Sequence, residues 1–262
     1  MDIFLPRLEA PHYHITRPAQ LADAFQKTGV FSMRSSFDTE GCLALVGRAS
    51  RFASASHSHS DQGSFALFYE GVSLLSPSGY YGAGYGTQHH FEWTNQTKAH
   101  NTIVVDGEGM PIFSEKPTGR IESCQQNDFL FTALLNLDEA YESVESWKRH
   151  FTMDANTNTV LIEDTLKSET EHKLDWMLHS LSQPQVKNGT VIIVRKGIQL
   201  TIEPLAGLLP AVQIADEFDT PVNAGAFGKG SIPPAPQQYH MKWQTQKAKN
   251  HKIAVKLTVK KL

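Results

Sequence analysis

The chain has 262 residues, of which 40% are hydrophobic and 19% charged, an ordinary composition for a globular protein with a sizeable core. The formal net charge of −3 argues against nucleic acid as a main partner, because phosphate binding needs a basic face, whereas an acidic sugar polymer needs only local positive charge. Two cysteines are too few for a disulfide framework.

One helix is predicted, near the amino terminus. Thr16 can cap a helix over residues 18–27, and Gly29 can end it. Its apolar stripe consists of Leu21, Ala22, Ala24 and Phe25. We interpret this helix as a connector, so that residues 1–35 form a linker with a short helix and residues 36–262 form the main domain.

Short β-type runs, separated by Gly, Asn, Asp, Ser or Pro, dominate the rest of the chain. The predicted strands are 30–34, 42–47, 64–70, 72–76, 102–106, 129–134, 147–153, 159–164, 173–179, 191–195, 199–203, 239–244 and 253–259. Repeated short strands with turn signals indicate stacked antiparallel sheets rather than alternating βαβ units. The predicted fold is therefore all-β, an antiparallel multi-stranded β-sandwich.

Three further segments have distinct patterns. Residues 137–144 fit either a helical turn or a loop, and the proline-rich residues 231–236 indicate an extended surface loop. In the basic carboxyl-terminal segment, apolar and lysine side chains alternate over 252–260. This alternation predicts a final strand with its lysines in solvent, guarding a sheet edge against aggregation, rather than a groove for polyanions.

Most of the polar chemistry lies between residues 57 and 107. His57, His59 and Asp61 form an H-x-H-x-D run, and an extended run would turn all three side chains to one face. His100 directly precedes another predicted strand. Because neutral imidazole is a common zinc ligand, such residues on two strands can hold zinc or a similar ion. The alternative is that they are polar residues that hydrogen-bond to loops at strand ends.

The same region carries a resemblance to a known family. Its motifs are GSF at 63–65, Gly71 with LL at 74–75, SGY at 78–80, YG at 85–86, QTKAHNT at 96–102 and VVDG at 104–107. Weaker matches are WKRHF at 147–151, VLIED at 160–164, DTL at 164–166 and WMLHS at 176–180. Together they resemble the heparinase II/III-like domain, the β-rich C-terminal part of polysaccharide lyases such as alginate and heparin or heparan lyases.

This resemblance has consequences for organisation and location. Members of the family generally carry an N-terminal α/α toroid of several hundred residues, preceded by an export signal, and neither is recognisable in this chain. The resemblance therefore implies a C-terminal piece of a longer lyase, or a chain without half of its cleft, in the periplasm or secreted. No stretch approaches the ~20 apolar residues of a membrane-spanning helix, so no membrane partner is predicted.

The resemblance also implies catalytic roles. Uronate lyases cleave at C4 by β-elimination, which requires neutralising the C5 carboxylate, removing the C5 proton and protonating the leaving oxygen. By motif position, His57 corresponds to the histidine beside the substrate carboxylate and Tyr85 to the proton-transferring tyrosine. An aromatic lid on a glycine-rich loop is the alternative for Tyr85. His89, His90 and Trp93 are candidate sugar contacts, and solvent-facing loop positions or packing of the loop are the alternatives.

A zinc site is implied with one departure from the family pattern. His59 and His100 match two family ligands, but Pro77 replaces the aspartate that is the third, and proline cannot ligate. Asp61, His89 or His90 could complete the site, and zinc should then bind more weakly than in relatives. Otherwise metal is absent and the two histidines hydrogen-bond within the sheet.

Three function classes remain open. The first is a lyase domain that contributes half of an active site acting on an acidic polysaccharide or oligosaccharide. The second is a non-catalytic carbohydrate-binding or accessory β-domain. The third is a metallohydrolase, because the H-x-H-x-D run resembles that of the metallo-β-lactamase superfamily, although Gln62 stands where that run has a histidine.

Overall fold

The computed structural model describes residues 20–79, 86–222 and 236–262, and these form three antiparallel sheets. In chain order the strands are β1 Ala22–Phe25, β2 Val30–Arg34, β3 Leu43–Arg48, β4 Phe65–Tyr69, β5 Val72–Leu75, β6 Ile103–Val105, β7 Arg120–Asn127, β8 Leu130–Asn136, β9 Ser146–Asp154, β10 Thr159–His172, β11 Leu174–Ser180, β12 Pro184–Lys187, β13 Thr190–Arg195, β14 Ile198–Ala206, β15 Val212–Ala215, β16 Tyr239–Gln244 and β17 Ala248–Lys261. All the pairings between these strands are antiparallel. The predicted all-β sandwich is confirmed.

The sheets differ in size and in strand order. The first has five strands in the order β1-β2-β3-β4-β5. The second has eight, in the order β12-β13-β14-β17-β10-β9-β8-β7, and the third has four, in the order β15-β16-β11-β6. Buried side chains from all three sheets form one hydrophobic core, because residues alternate between a core face and a solvent face along each inner strand.

Every predicted strand is present, and four strands were not predicted. The additional strands are β1, β7, β12 and β15, and each lies at an edge of its sheet. Strand β12 buries one residue of four, and β15 buries none. An edge strand with little buried surface carries no apolar alternation, so the sequence pattern does not reveal it.

The predicted helix over residues 18–27 is wrong from residue 20 onward, and residues 18 and 19 lie outside the described ranges. Ala22–Phe25 form β1, which pairs with β2 so that Phe25 opposes Val30. Gly29, at φ +72°, ends the connecting turn by donating its N–H to the Phe25 carbonyl at 2.8 Å. Cross-strand pairing therefore overrides the local helical spacing.

The last strand, β17, confirms the predicted alternation but not an edge position. Its buried residues are Ile253, Val255, Leu257 and Val259, and Lys252 and Lys260 are exposed. Strand β17 lies between β14 and β10, so these lysines occupy the centre of the eight-stranded sheet. Residues 137–144, which the sequence left open, form a loop with two turns.

Helical structure in the described ranges is limited to two short stretches, residues 88–94 and 97–99. A π-helical turn spans His90–Thr94 and a 3-10 turn spans Thr97–Ala99. No helix among the described residues is long and apolar enough to cross a membrane. Both turns lie in the connection between β5 and β6, where most of the candidate site residues are found.

Candidate functional site

The H-x-H-x-D run lies in a loop before β4 rather than in a strand, so the expectation that period-two geometry aligns its side chains is wrong. His57 is exposed, His59 is half-buried and Asp61 is buried. Arg48, at the end of β3, forms an ion pair with the Asp61 carboxylate. The same guanidinium donates to the carbonyls of Ala53 and His59 at 2.9 and 3.1 Å, so one arginine fixes this loop.

A second set of hydrogen bonds joins this loop to residues 109–119. The Gln62 side chain accepts from the Ser50 N–H at 2.8 Å and donates to the Pro117 carbonyl at 2.9 Å. The Ser54 hydroxyl donates to the Pro111 carbonyl at 2.6 Å. Gln62, at the position where the metallohydrolase run has a histidine, is therefore a buried structural residue. The α/β layers of that alternative are not formed by the described residues.

His59, which belongs to this loop, lies beside His100. The Nδ1 atom of His59 is 3.1 Å from Nε2 of His100. Burial lowers the pKa of His59 to about 4 and that of His100 to about 3, so both rings are neutral at pH 7. His100 Nδ1 donates to the Gln96 carbonyl at 2.9 Å, which leaves the lone pair of its Nε2 facing His59.

This pair fits two positions of a zinc site. Ligand nitrogens about 2.0–2.1 Å from a tetrahedral ion lie roughly 3.3 Å from each other, close to the observed separation. Pro77 lies next to Ser78, whose N–H donates to the Ala99 carbonyl at 2.8 Å, so the missing third ligand would have stood beside His100. Asp61 is engaged by Arg48. Among the described residues no group of three His, Cys, Asp or Glu side chains could hold a metal ion, so we derive no catalytic step from one.

His90 extends the cluster towards the exposed His57. Its ring centroid is 6.3 Å from that of His59. The pKa of His90 is lowered, first by burial and then by the nearby charge of His57. Its Nδ1 accepts the Gly86 N–H at 3.4 Å. Tyr85 lies outside the described residues, but its chain neighbour is thus held against this histidine cluster.

His89 and Trp93, predicted to contact sugar together with His90, are also buried. His89 Nδ1 donates to the Thr220 carbonyl at 2.6 Å. The Trp93 indole N–H donates to the Ser78 hydroxyl at 3.0 Å, which holds the π-helical turn against the β5 end. These contacts give His89 and Trp93 packing roles. Their contact with a saccharide stays a prediction.

A second histidine pair was missed by the sequence analysis. His179 and His240 are cross-strand neighbours on β11 and β16, with their Nδ1 atoms 2.9 Å apart. The ring of His240 is 4.8 Å from that of Trp93. His179 lies in the WMLHS motif, but its partner is set by the register of two strands about sixty residues apart, which no local pattern reveals.

A buried ion pair contacts the two segments that carry His59 and His100. Arg149 on β9 donates to both carboxylate oxygens of Asp164 on β10, at 2.7 and 2.8 Å. Its remaining nitrogen, Nη1, donates to the Gly63 carbonyl at 2.7 Å and to the Asn101 carbonyl at 3.4 Å. Gly63 follows the H-x-H-x-D run and Asn101 follows His100. One guanidinium therefore sets the distance between the segment that carries His59 and the segment that carries His100.

Comparisons with known proteins agree with this fold. The heparan sulfate lyase HepC from Pedobacter heparinus superposes with a TM-score of 0.72 at 18% identity, covering 94% of this chain and 37% of the lyase. A solved heparinase III gene product gives a TM-score of 0.74 at 15% identity, with the same coverage. These likenesses establish the fold.

Sequence comparison is more specific. A heparin-sulfate lyase from Bacteroides stercoris is 25% identical over 154 residues, which are 58% of this chain and 22% of that protein. The chain therefore spans well under half the length of the relatives it matches. The profile described as "Heparinase II/III-like, C-terminal" matches residues 17–240. The chain belongs to this heparinase II/III-like C-terminal family of polysaccharide lyases.

Proposed function

We propose that this domain forms one wall of a lyase active site that cleaves a uronate-containing polysaccharide by β-elimination. The observation that carries the proposal is the exposed imidazole of His57, held on the same loop as the half-buried His59, which contacts the buried His100. The family membership and the lyase relatives support the reaction class.

Each step of the elimination needs a specific group. The C5 proton leaves to a base, its electron pair forms the C4–C5 double bond, the C4–O bond breaks, and the leaving oxygen takes up a proton. In our proposal His57 hydrogen-bonds to the C5 carboxylate, where negative charge develops. Tyr85 transfers the proton, since its neighbour Gly86 lies against His90 in the same cluster.

The opposite wall is proposed to come from an N-terminal toroid domain. The solved relatives are longer, and this chain covers 37% of their length. A cleft closed on one side only cannot align a sugar chain or exclude water, and such positioning accounts for many orders of magnitude in rate. The domain alone should therefore bind or orient substrate without turning it over.

The proposal is tested by adding the toroid. We expect negligible lyase activity for the 262-residue chain and activity for a version with the toroid, measured by ultraviolet absorbance of the new C4–C5 double bond. In the longer version Tyr85→Phe and His57→Ala should each lower kcat by about 10²–10⁴-fold while leaving the thermal midpoint unchanged.

His150→Ala is the matched control, because His150 is a partly exposed histidine beside Glu163 on the eight-stranded sheet. It should retain full activity. Full activity of Tyr85→Phe would remove that tyrosine from the mechanism. Polysaccharide binding without turnover in the longer version would favour the non-catalytic carbohydrate-binding alternative.

We also propose that His59 and His100 bind zinc weakly. Two neutral imidazoles at ligand spacing support this, and Pro77 in place of a carboxylate sets the low affinity. Elemental analysis after zinc equilibration should show up to one zinc per chain, lost in a His59→Ala/His100→Ala variant and retained in His150→Ala. Wild-type protein without zinc, and with a thermal midpoint unchanged by the double substitution, would contradict the proposal.

A further inference from the structure

The four-stranded sheet has a polar face directed away from the core. Alternate residues form three cross-strand rows on this face. The rows are Ala215, His240 and His179; Gln213, Lys242 and Met177; and Gln244, Asp175 and Val104. The opposite face buries Trp176, Leu178, Met241 and Trp243, so the side chains in the rows lie on the outer side of the sheet.

Two adjoining cavities make this face a groove. The first, of about 520 Å³, is lined by Trp93, Lys98, His240 and Lys242 among others. The second, of about 380 Å³, continues towards Lys247, and both cavities are lined by Gly107 and Asp175. These volumes lie in the range of small-ligand sites.

The charges along the groove balance. The lining residues include four lysines and four carboxylates, namely Lys98, Lys173, Lys242, Lys247, Asp106, Asp175, Glu217 and Asp219. Lys98 lies 2.6 Å from Asp219, and Lys242 lies 3.6 Å from Asp175. A polyanion would therefore meet as many repelling as attracting groups, whereas an uncharged polar ligand would find donors and acceptors side by side.

His240 is an incompletely bonded group in this lining. It is only 5% exposed, and its Nε2, like that of His179, has no hydrogen-bond partner among the described residues. Buried polar atoms are nearly always bonded to protein, water or ligand. Burial lowers the pKa of His240 to about 4, so the ring is neutral. Its Nδ1 is engaged by His179, which leaves Nε2 as the single polar atom of the ring without a partner among the described residues.

We propose that this groove binds an uncharged, hydroxyl-rich saccharide segment at a site separate from His57. Met177 and the largely buried Trp93 form the apolar part of the cavity wall, and Lys242, Asp175 and Gln244 provide hydroxyl partners. The site lies on the His240 side of the π-helical turn, whereas His90 of the same turn faces His59. The uncharged class of ligand rests on the charge balance of the groove, and only the expectation that the ligand is a saccharide rests on the proposed function.

The test is a binding measurement on the 262-residue chain. Uncharged chitotetraose should give saturable binding by calorimetry, and tetragalacturonate of the same length should bind at least tenfold more weakly. Lys242→Ala and Gln244→Ala should each weaken chitotetraose binding by at least tenfold. Lys252→Ala, on the eight-stranded sheet, is the matched control and should leave the Kd unchanged.

Other outcomes separate this proposal from the lyase proposal. His57→Ala should leave chitotetraose binding unchanged, because His57 is outside the groove. No chitotetraose binding, binding indifferent to Lys242 and Gln244, or tighter binding of tetragalacturonate would overturn the groove proposal. Absence of lyase activity in the toroid-containing version, with chitotetraose binding intact, would overturn only the proposed function.

Discussion

Replacing Arg149 with methionine should lower the free energy of unfolding by about 3–5 kcal/mol, since it leaves a buried carboxylate without its cation. Arg149 and Asp164 are 0% and 1% exposed and form a two-pronged ion pair. The indole N–H groups of Trp147 and Trp176 also donate to Asp164, at 2.8 and 3.1 Å. Urea unfolding followed by tryptophan fluorescence measures the loss.

A surface arginine provides the matched control. Arg120 lies 3.5 Å from Glu122 and is more than half exposed, so Arg120→Met should change stability by less than about 1 kcal/mol. Asp164→Asn, which keeps the shape of the side chain, gives a second measurement should Arg149→Met not fold. Equal losses in the free energy of unfolding for Arg149→Met and Arg120→Met would show that the buried pair stabilises the fold no more than the surface pair does.

Acidification should also destabilise the domain strongly. Burial lowers the pKa of His240 to about 4 and that of His179 well below its usual 6.5. Between these values the unfolded chain binds protons that the folded chain excludes. Stability is therefore full above pH 6.5 and falls as the pH drops towards 4, by about 1.4 kcal/mol per pH unit for each histidine that takes up a proton on unfolding.

Chemical unfolding at a series of pH values, with a chelator present to remove metal, measures this slope. A His179→Leu/His240→Leu variant should show a shallower slope, and His150→Leu should keep the wild-type slope. Nuclear magnetic resonance gives an independent measurement on the wild-type chain. Titration of the His240 ring near pH 6.5 in the folded protein would contradict the prediction.

The sequence reveals inner strands better than edge strands. Strand β9, an inner strand between β8 and β10, buries every second residue because one of its faces packs on the core, and this alternation is visible as WKRHFTM. Strand β15 lies at an edge and buries no residue, so nothing in VQIA distinguishes it from a loop. The segment around Ala22 has helical spacing, yet a hairpin with β2 provides cross-strand pairing that a short isolated helix lacks.

The site could be predicted only where the resemblance supplied it. His59 and His100 do meet, because the motif carries their positions, whereas the H-x-H-x-D loop is not the strand that spacing suggested. The contact between Arg48 and Asp61 depends on the path of an irregular loop. Such contacts have no period in the sequence, and neither does the meeting of His179 and His240 across two strands.

The position of β17 has a consequence for the order of folding during synthesis. Strands β12–β14 and β7–β10 form the two halves of the eight-stranded sheet, and they are joined only through β17. Thr159, for example, pairs with Thr258. The two halves therefore cannot combine until residues 248–261 have left the ribosome. Until then the inner edges of β10 and β14 stay unpaired, which leaves the nascent chain prone to edge-to-edge aggregation until β17 has emerged.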